Sequence, residues 1–231
     1  MQNKRLAKEI SARGYCSRRD AEKLILDGKV EVSNKTVRDI VYFVSSDDEI
    51  KIHGKIIQKI SPKIWVYYKP RGVITSHKDP QNRRTVFEEL SGYFNCHIKS
   101  IGRLDIESEG LLLLTNSGEI ARKFELPENN FKRIYKVKLF GNFNAKAIDA
   151  LTKGAEIENI KYKECLIKHL KSNTKMNHWF EVTLFEGKNR EIRKMFESIG
   201  MQVSRLIRTQ YHKYELADLK PGEVKICPLI I

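Results

Sequence analysis

The sequence predicts an α+β protein in two parts, a small α/β unit over residues 1–60 and a larger unit of mixed α and β over residues 61–231. Length is the first reason: 231 residues suit one large domain or two smaller ones, since domains usually run about 100–200 residues. The second is a switch of hydrophobic period, from helical to strand-like, within the first fifty-odd residues. The third is an alternation of strand and helix patterns that starts after Pro62 and continues to the C-terminus.

A hydrophobic content of 41% supplies a core and excludes a fully disordered chain. The longest uninterrupted aliphatic run, Leu111–Leu114, is far short of the roughly 20 residues that span a bilayer. No apolar signal core follows Met1-Gln2-Asn3-Lys4-Arg5. Cys16, Cys96, Cys165 and Cys227 are dispersed and form no C-x-x-C pair. That argues against a metal or redox centre and fits a reducing compartment, so cytoplasm is expected. Lys and Arg number 43 against 29 Asp and Glu, a formal charge of +14. The excess leaves nucleic acid or an anionic membrane surface as partner. No segment joins a broad Leu/Trp/Phe face to a basic one, so a soluble protein that binds nucleic acid is the expectation.

In the small unit, Leu6 and Ile10 lie one helical turn apart and Gly14 interrupts the pattern. Ser17, three residues before Asp20, signals a second helix start, whose apolar stripe is Ala21, Leu24 and Ile25 and whose end is Gly28. Val30 and Val32 then alternate with polar residues as a strand does, and Ser33-Asn34-Lys35 predicts a tight turn before Val37. Arg13, Arg18, Arg19 and Lys23 crowd the turn between the helices and the exposed side of the second. They form either a solvated face or a surface that tracks phosphates.

The runs Arg5-Leu6-Ala7-Lys8, Gly14 through Ile25, and Gly28-Lys29-Val30-Glu31-Val32 resemble the S4-type RNA-binding domain over roughly residues 4–52. The turn departs from that pattern, with Ser33-Asn34 where family members often have Asn-Gly. The resemblance implies RNA contact through Arg5, Arg13, Ser17, Arg18, Arg19 and Lys23.

Residues 53–62 read as a linker or as the last strand of the small unit. Beyond them, Ile64-Trp65-Val66-Tyr67-Tyr68 has the pattern of a buried strand, stopped by Lys69-Pro70-Arg71-Gly72. Further strands are expected at Ile134–Leu139 and Trp179–Leu184, with helices near Glu119–Glu125 and Asn144–Leu151. There is no internal repeat and no low-complexity tract.

The most informative stretch is Ser100-Ile101-Gly102-Arg103-Leu104-Asp105-Ile106-Glu107-Ser108-Glu109-Gly110, ahead of Leu111–Leu114. Four consecutive leucines predict a strand buried on both faces, and this places Asp105 on a glycine-flanked loop leading into the core. A carboxylate held there beside Arg103 suits a nucleophile or a base, while ordinary loop charge is the competing reading. Tyr135 falls in a strand, where it either packs in the sheet or presents its ring to a base. Ile192, Met195, Phe196 and Ile199 form one helical face between Asn189 and Gly200. Arg190, Arg193 and Lys194 are thereby first-turn cations at the positive end of a helix, which calls for something anionic beside them.

Tyr68-Lys69-Pro70-Arg71-Gly72, Gly102-Arg103-Leu104-Asp105, Arg133-Ile134-Tyr135 and Gly187-Lys188-Asn189-Arg190-Glu191-Ile192-Arg193, in this order, resemble the motifs of the pseudouridine synthases over essentially all of residues 63–231. Ser108 stands where that family more often has Thr, Arg133 where Lys commonly precedes the tyrosine, and Tyr211-His212-Lys213 where many members have a glycine turn. With an S4-type domain in front, the resemblance narrows to the branch acting on ribosomal RNA. Asp79 through Phe87 and Met201 through Arg208 carry the similarity to its large-subunit members.

The resemblance implies a mixed, mainly antiparallel sheet with flanking helices, and isomerisation of one uridine, in 23S rRNA or a large-subunit assembly intermediate, without cofactor or metal. It implies that Asp105 starts the chemistry, that Arg193 pairs with it, and that Tyr135 stacks on the flipped uracil. Lys69, Arg71, Arg103, Lys188 and Arg190 join the RNA-binding set, and a monomer is expected. The alternatives are a non-catalytic ribosome-assembly factor, a small-subunit rRNA synthase, and a glycosidase using Asp105 with Glu107 or Glu109.

Overall fold

The computed structural model describes residues 3–230. Strand β1 (Lys4–Arg5) runs into helix α1 (Leu6–Ala12), and α2 (Arg18–Leu26) follows. Ser17 caps α2 as expected, accepting the Asp20 amide at 3.2 Å. It also donates its hydroxyl to Asp20 Oδ2 at 2.6 Å, so its one donor is spent inside the cap. Strands β2 (Val30–Val32) and β3 (Lys35–Val37) meet at Ser33 and Asn34, both with positive φ (48° and 65°), the geometry of a two-residue hairpin turn. Next come β4 (Phe43–Val44), which pairs with β1, then β5 (Ile50–Ile52) and β6 (Lys55–Ile56), giving a four-stranded sheet in the order β3-β2-β5-β6. Residues 53–62 are thus part strand, part linker. The α stripe and the inward valines and isoleucines close a core of their own, from Leu6 to Ile57.

Arg13 corrects an expectation. It is buried, ion-paired to Glu9 at 3.0 Å, and donates to the carbonyls of Ile57, Ser46 and Asp48. Its guanidinium ties the helix to the loops beneath it and is not offered to RNA.

The larger unit is built on β7 (Ile64–Lys69), α3 (Val86–Glu89), β8 (Lys99–Ile101), β9 (Glu109–Thr115), α4 (Gly118–Glu125), β10 (Arg133–Phe140) and α5 (Ala145–Thr152). It continues through β11 (Ala155–Ile157), β12 (Ile160–Tyr162), β13 (Leu166–Thr174), β14 (Asn177–Leu184), α6 (Glu191–Glu197), β15 (Gln202–Tyr211), β16 (Tyr214–Glu215) and β17 (Val224–Cys227). The main sheet runs β13-β14-β10-β15-β9-β7-β17, with β8 beside β9 and β16 beside β15. Its pairings are antiparallel except for β9 and β15, which lie parallel with Ile207 opposite Glu109 and Arg208 opposite Gly110.

β7 and β9 are buried along their whole length, as unbroken apolar runs require. Alternate residues face two cores: Trp65, Tyr67, Leu112 and Leu114 on one side, Ile64, Val66, Leu111 and Leu113 on the other. Helix α4 closes the second face through Phe124. Helix α6 lies on β15, with Ile192, Met195 and Phe196 in the first core. These two helices and the centre of the sheet frame the cavity described next.

Candidate active site

Four segments far apart in the chain converge on one open cavity of ≈ 600 Å³: the loop 102–105, Arg133 and Tyr135 of β10, residues 187–192, and Leu206, Arg208 and Tyr211 of β15.

Asp105 sits on the loop between β8 and β9, half-buried on the cavity wall. The loop is pinned along its length. Thr75 accepts the Leu104 amide at 3.2 Å and donates its hydroxyl to the Leu104 carbonyl at 2.9 Å. The Gly102 amide donates to Glu125 at 2.7 Å, the Gly72 amide to the Ile106 carbonyl at 2.8 Å, and the Ser108 amide to the Asp105 carbonyl at 3.0 Å. These bonds fix the backbone of the loop and use none of the Asp105 carboxylate.

Lys69 supports this loop from inside. It is fully buried, and its ammonium donates to the carbonyls of Ser108 (2.8 Å) and Pro70 (2.9 Å). Burial pushes its pKa down to about 8, against the opposing pull of Asp105. This corrects its place among the RNA-binding cations: no phosphate reaches it.

Tyr135 is 8% exposed and lies on the wall. The pairing of β10 with β15 shifts register between Ile134 and Tyr135, and such an irregularity re-aims a side chain.

Arg193 is buried at the start of α6. It donates to the carbonyls of Glu107 and Val203, each at 3.2 Å, and its Nε has no partner. Burial and Arg190 lower its pKa, while Asp105 and Glu107 oppose. Among the described residues, the ion pairs do not include one between Arg193 and Asp105. Arg193 and Asp105 attract through space, while the hydrogen bonds of the guanidinium go to the backbone, one of them two residues beyond the aspartate.

Arg103, Lys188 and Arg190 are exposed at the cavity mouth, and Arg71 is exposed beside it, paired with Glu107. Arg190 takes a left-handed conformation (φ 51°) and heads α6 as its N-cap residue. In the small unit Arg5, Arg18, Arg19 and Lys23 are exposed, whereas Ser17 serves its own helix.

Sequence reasoning missed three wall residues. Tyr211 is buried between two guanidinium groups, Arg133 at 4.6 Å and Arg208 at 5.2 Å from the ring centroid. Its hydroxyl accepts from Arg133 at 2.9 Å and donates to the Phe124 carbonyl at 2.8 Å. Arg208 is 3% exposed, donates through Nε to the Leu111 carbonyl at 2.7 Å, and leaves Nη2 unpartnered. A guanidinium one strand period from Leu206 was the available signal.

The third is Glu191, the first residue of α6. Its Oε2 accepts the Lys188 amide at 3.0 Å and its Oε1 has no partner. Burial, reinforced by the neighbouring Glu186, pushes its pKa from 4.5 up to about 7. The stability tied to its proton is present below 4.5 and lost as pH rises through about 7. Glu191→Gln, which cannot ionise, is expected to gain on the wild type by on the order of 1–3 kcal/mol between about pH 5 and about pH 8. Urea denaturation at both pH values measures this, and an equal difference at the two would exclude a buried neutral carboxyl.

Residues 63–198 match the RNA pseudouridylate synthase family, and residues 4–50 match the S4 domain. An uncharacterized RNA pseudouridine synthase of Rickettsia felis is 52% identical over 222 residues, 96% of this chain and 95% of the relative. Ribosomal large subunit pseudouridine synthase B of Bacillus subtilis is 36% identical over 230 residues, 96% of this chain and 94% of the relative. A crystal structure of a pseudouridylate synthase shares the fold with a TM-score of 0.67 at 24% identity, covering 97% of this chain and 96% of the other. The cavity that gathers Asp105 and Tyr135 thus lies in a chain that belongs to the RNA pseudouridylate synthase family.

Proposed function

We propose that this pseudouridine synthase converts one uridine of 23S rRNA, free or in a large-subunit assembly intermediate, to pseudouridine. It works as a monomer in the cytoplasm, with an RNA-binding domain over residues 1–60 and a catalytic domain over residues 61–231. The observation that carries the reading is the shared placement of Asp105 and Tyr135 on one cavity rimmed by Arg103, Lys188 and Arg190. Four free cysteines fit a reducing compartment. The large-subunit name of the Bacillus subtilis relative supports the choice of rRNA.

The reaction breaks the bond from uracil N1 to ribose C1′, turns the base and rejoins C1′ to C5. The C5 proton leaves and N1 takes one up, so mass is unchanged. Asp105 starts it, by attack on C1′ or by removing the 2′-hydrogen. Tyr135 stacks on the uracil, which must leave its helix to be reached. Arg193 positions the aspartate loop through the Glu107 carbonyl. Arg71, Arg103, Lys188 and Arg190, with Arg5, Arg18, Arg19 and Lys23 of the small unit, meet phosphates and supply affinity rather than specificity.

A glycosidase pairing Asp105 with a second loop carboxylate finds no support in the geometry. Glu109 is held by Arg205 (2.6 Å) and Tyr68 (3.1 Å), and Glu107 by Arg71. Carbodiimide mapping of rRNA from cells with and without the protein is expected to show one pseudouridine lost from 23S rRNA. A site lost from 16S rRNA instead would overturn the large-subunit assignment, and release of free uracil would overturn isomerisation.

A further inference from the structure

A second basic recess adjoins the active-site wall, in the crevice between the small unit and the catalytic unit: its Lys99 is the neighbour of Ser100 and its Arg122 lies three residues before Glu125, and both of those line the first cavity. Its volume is ≈ 470 Å³, and seven Lys or Arg line it against two Glu. Four of the seven already face a carboxylate: Lys4 and Lys8 share Glu119 at 3.2 and 3.4 Å, Arg13 holds Glu9 at 3.0 Å, and Lys59 holds Asp47 at 3.0 Å. Arg18 of α2, Lys99 of β8 and Arg122 of α4 have no carboxylate within ion-pair distance among the described residues.

Lys99 shows the strain in this arrangement. It is half-buried, and among the described residues its ammonium hydrogen-bonds the Ser11 hydroxyl alone, at 3.5 Å. It also lies beside the first residue of α4, 3.3 Å from where a Cβ on Gly118 would stand, at the end of the helix that repels cations. Burial and then Arg18 lower its pKa. Lys99 is the partly desolvated cation of the three, and with the exposed Arg18 and Arg122 on the same recess it gains from an anion that joins them. The direct bonds across the junction are themselves polar: the His97 amide to the Gly14 carbonyl at 2.7 Å, and the Lys4, Lys8 and Lys99 contacts above.

We propose that this crevice seats a stretch of RNA phosphodiester backbone between Arg18, Lys99 and Arg122, and that the strand completes the junction of the two units. The inference rests on the RNA-modifying function proposed above. RNA is favoured over a protein partner because the basic lining runs through Arg18 onto the exposed Arg19 and Lys23 of α2, as a backbone-tracking surface does.

The test uses the full chain and a 23S rRNA transcript, with affinity followed from about 50 to 200 mM salt. The double variant Lys99→Gln/Arg122→Gln is expected to bind more weakly at low salt, with a log–log salt slope shallower by about 1.4, as loss of two single-strand phosphate contacts requires. Lys99→Arg/Arg122→Lys, which keeps both charges, is expected to retain the wild-type slope and shows that the fold is intact. Lys146→Gln/Lys153→Gln on and beside α5, an equal charge change outside the crevice, is expected to leave the slope unaltered.

An unchanged slope in the first variant, or an equal loss in the third, overturns the proposal. So does protection of Lys99 from acetic anhydride by inorganic phosphate as complete as that given by the transcript, since the crevice would then be a small-anion site. Pseudouridine formation by the wild type is read on the same transcript and on rRNA from cells with and without the protein, where assembly intermediates are also present. Its absence with the slope difference intact would remove the rRNA-synthase reading alone, and its presence with no slope difference would remove the crevice alone.

Discussion

With asparagine at position 105 the enzyme is expected to bind 23S rRNA and make no pseudouridine from it, a loss of about 10⁴-fold or more, equivalent to roughly 5–6 kcal/mol of transition-state stabilisation. The substitution keeps size and removes only the charge and the nucleophilic oxygen. The loop should survive it, because Thr75, Gly72 and Glu125 hold its backbone and none of them bonds the Asp105 side chain. Single-turnover conversion by mass-neutral pseudouridine mapping, beside filter binding of the same transcript, separates the two effects. Residual modification above about 1% of wild type would mean that another group starts the reaction and that Asp105 is structural.

Alanine at position 110 is expected to cost about 3 kcal/mol or more and to take activity with it. Gly110 has φ +100° and stands opposite Arg208 at the one parallel pairing of the sheet. A Cβ there would press on the Arg208 carbonyl oxygen, stand 2.9 Å from the Arg208 amide nitrogen and reach within 3.0 Å of Ile207. The collision is with backbone, so it relaxes only if β15 moves off β9, carrying Arg208 with it. Lys69 pairs with Gly110 from the other side, so the support of the Asp105 loop shifts as well. Gly102→Ala is the comparison: φ is +66° but the space around it is open, and a cost near 1 kcal/mol is expected. Chemical denaturation of the two variants decides the matter, and equal costs would refute the backbone collision.

Local pattern made much of this legible. Alternation at Val30 and Val32, the stripe of Ala21 and Ile25, and the leucine run 111–114 each follow from a period of 2 or 3.6 and a polar boundary. The glycines around Asp105 were enough to put it on a loop entering the core. Charge was less legible, because a sequence does not say which cations fold inward. Arg13 and Lys69 look like Arg18 and Arg71 until their donors are found bonded to carbonyls of the chain itself. Arg193 was expected on the carboxylate and hydrogen-bonds the Glu107 carbonyl. The parallel pairing joins positions 98 residues apart and the Arg208–Leu111 bond positions 97 apart, which no local window contains.

That long reach also sets when the enzyme can first act. Asp105 is made near the middle of synthesis, but β15, which closes its cavity, comes about a hundred residues later, and non-local pairings of this kind form slowly. A nascent chain therefore carries the carboxylate of Asp105 for nearly half of its translation without a complete pocket around it, until Gln202–Tyr211 slots between β10 and β9.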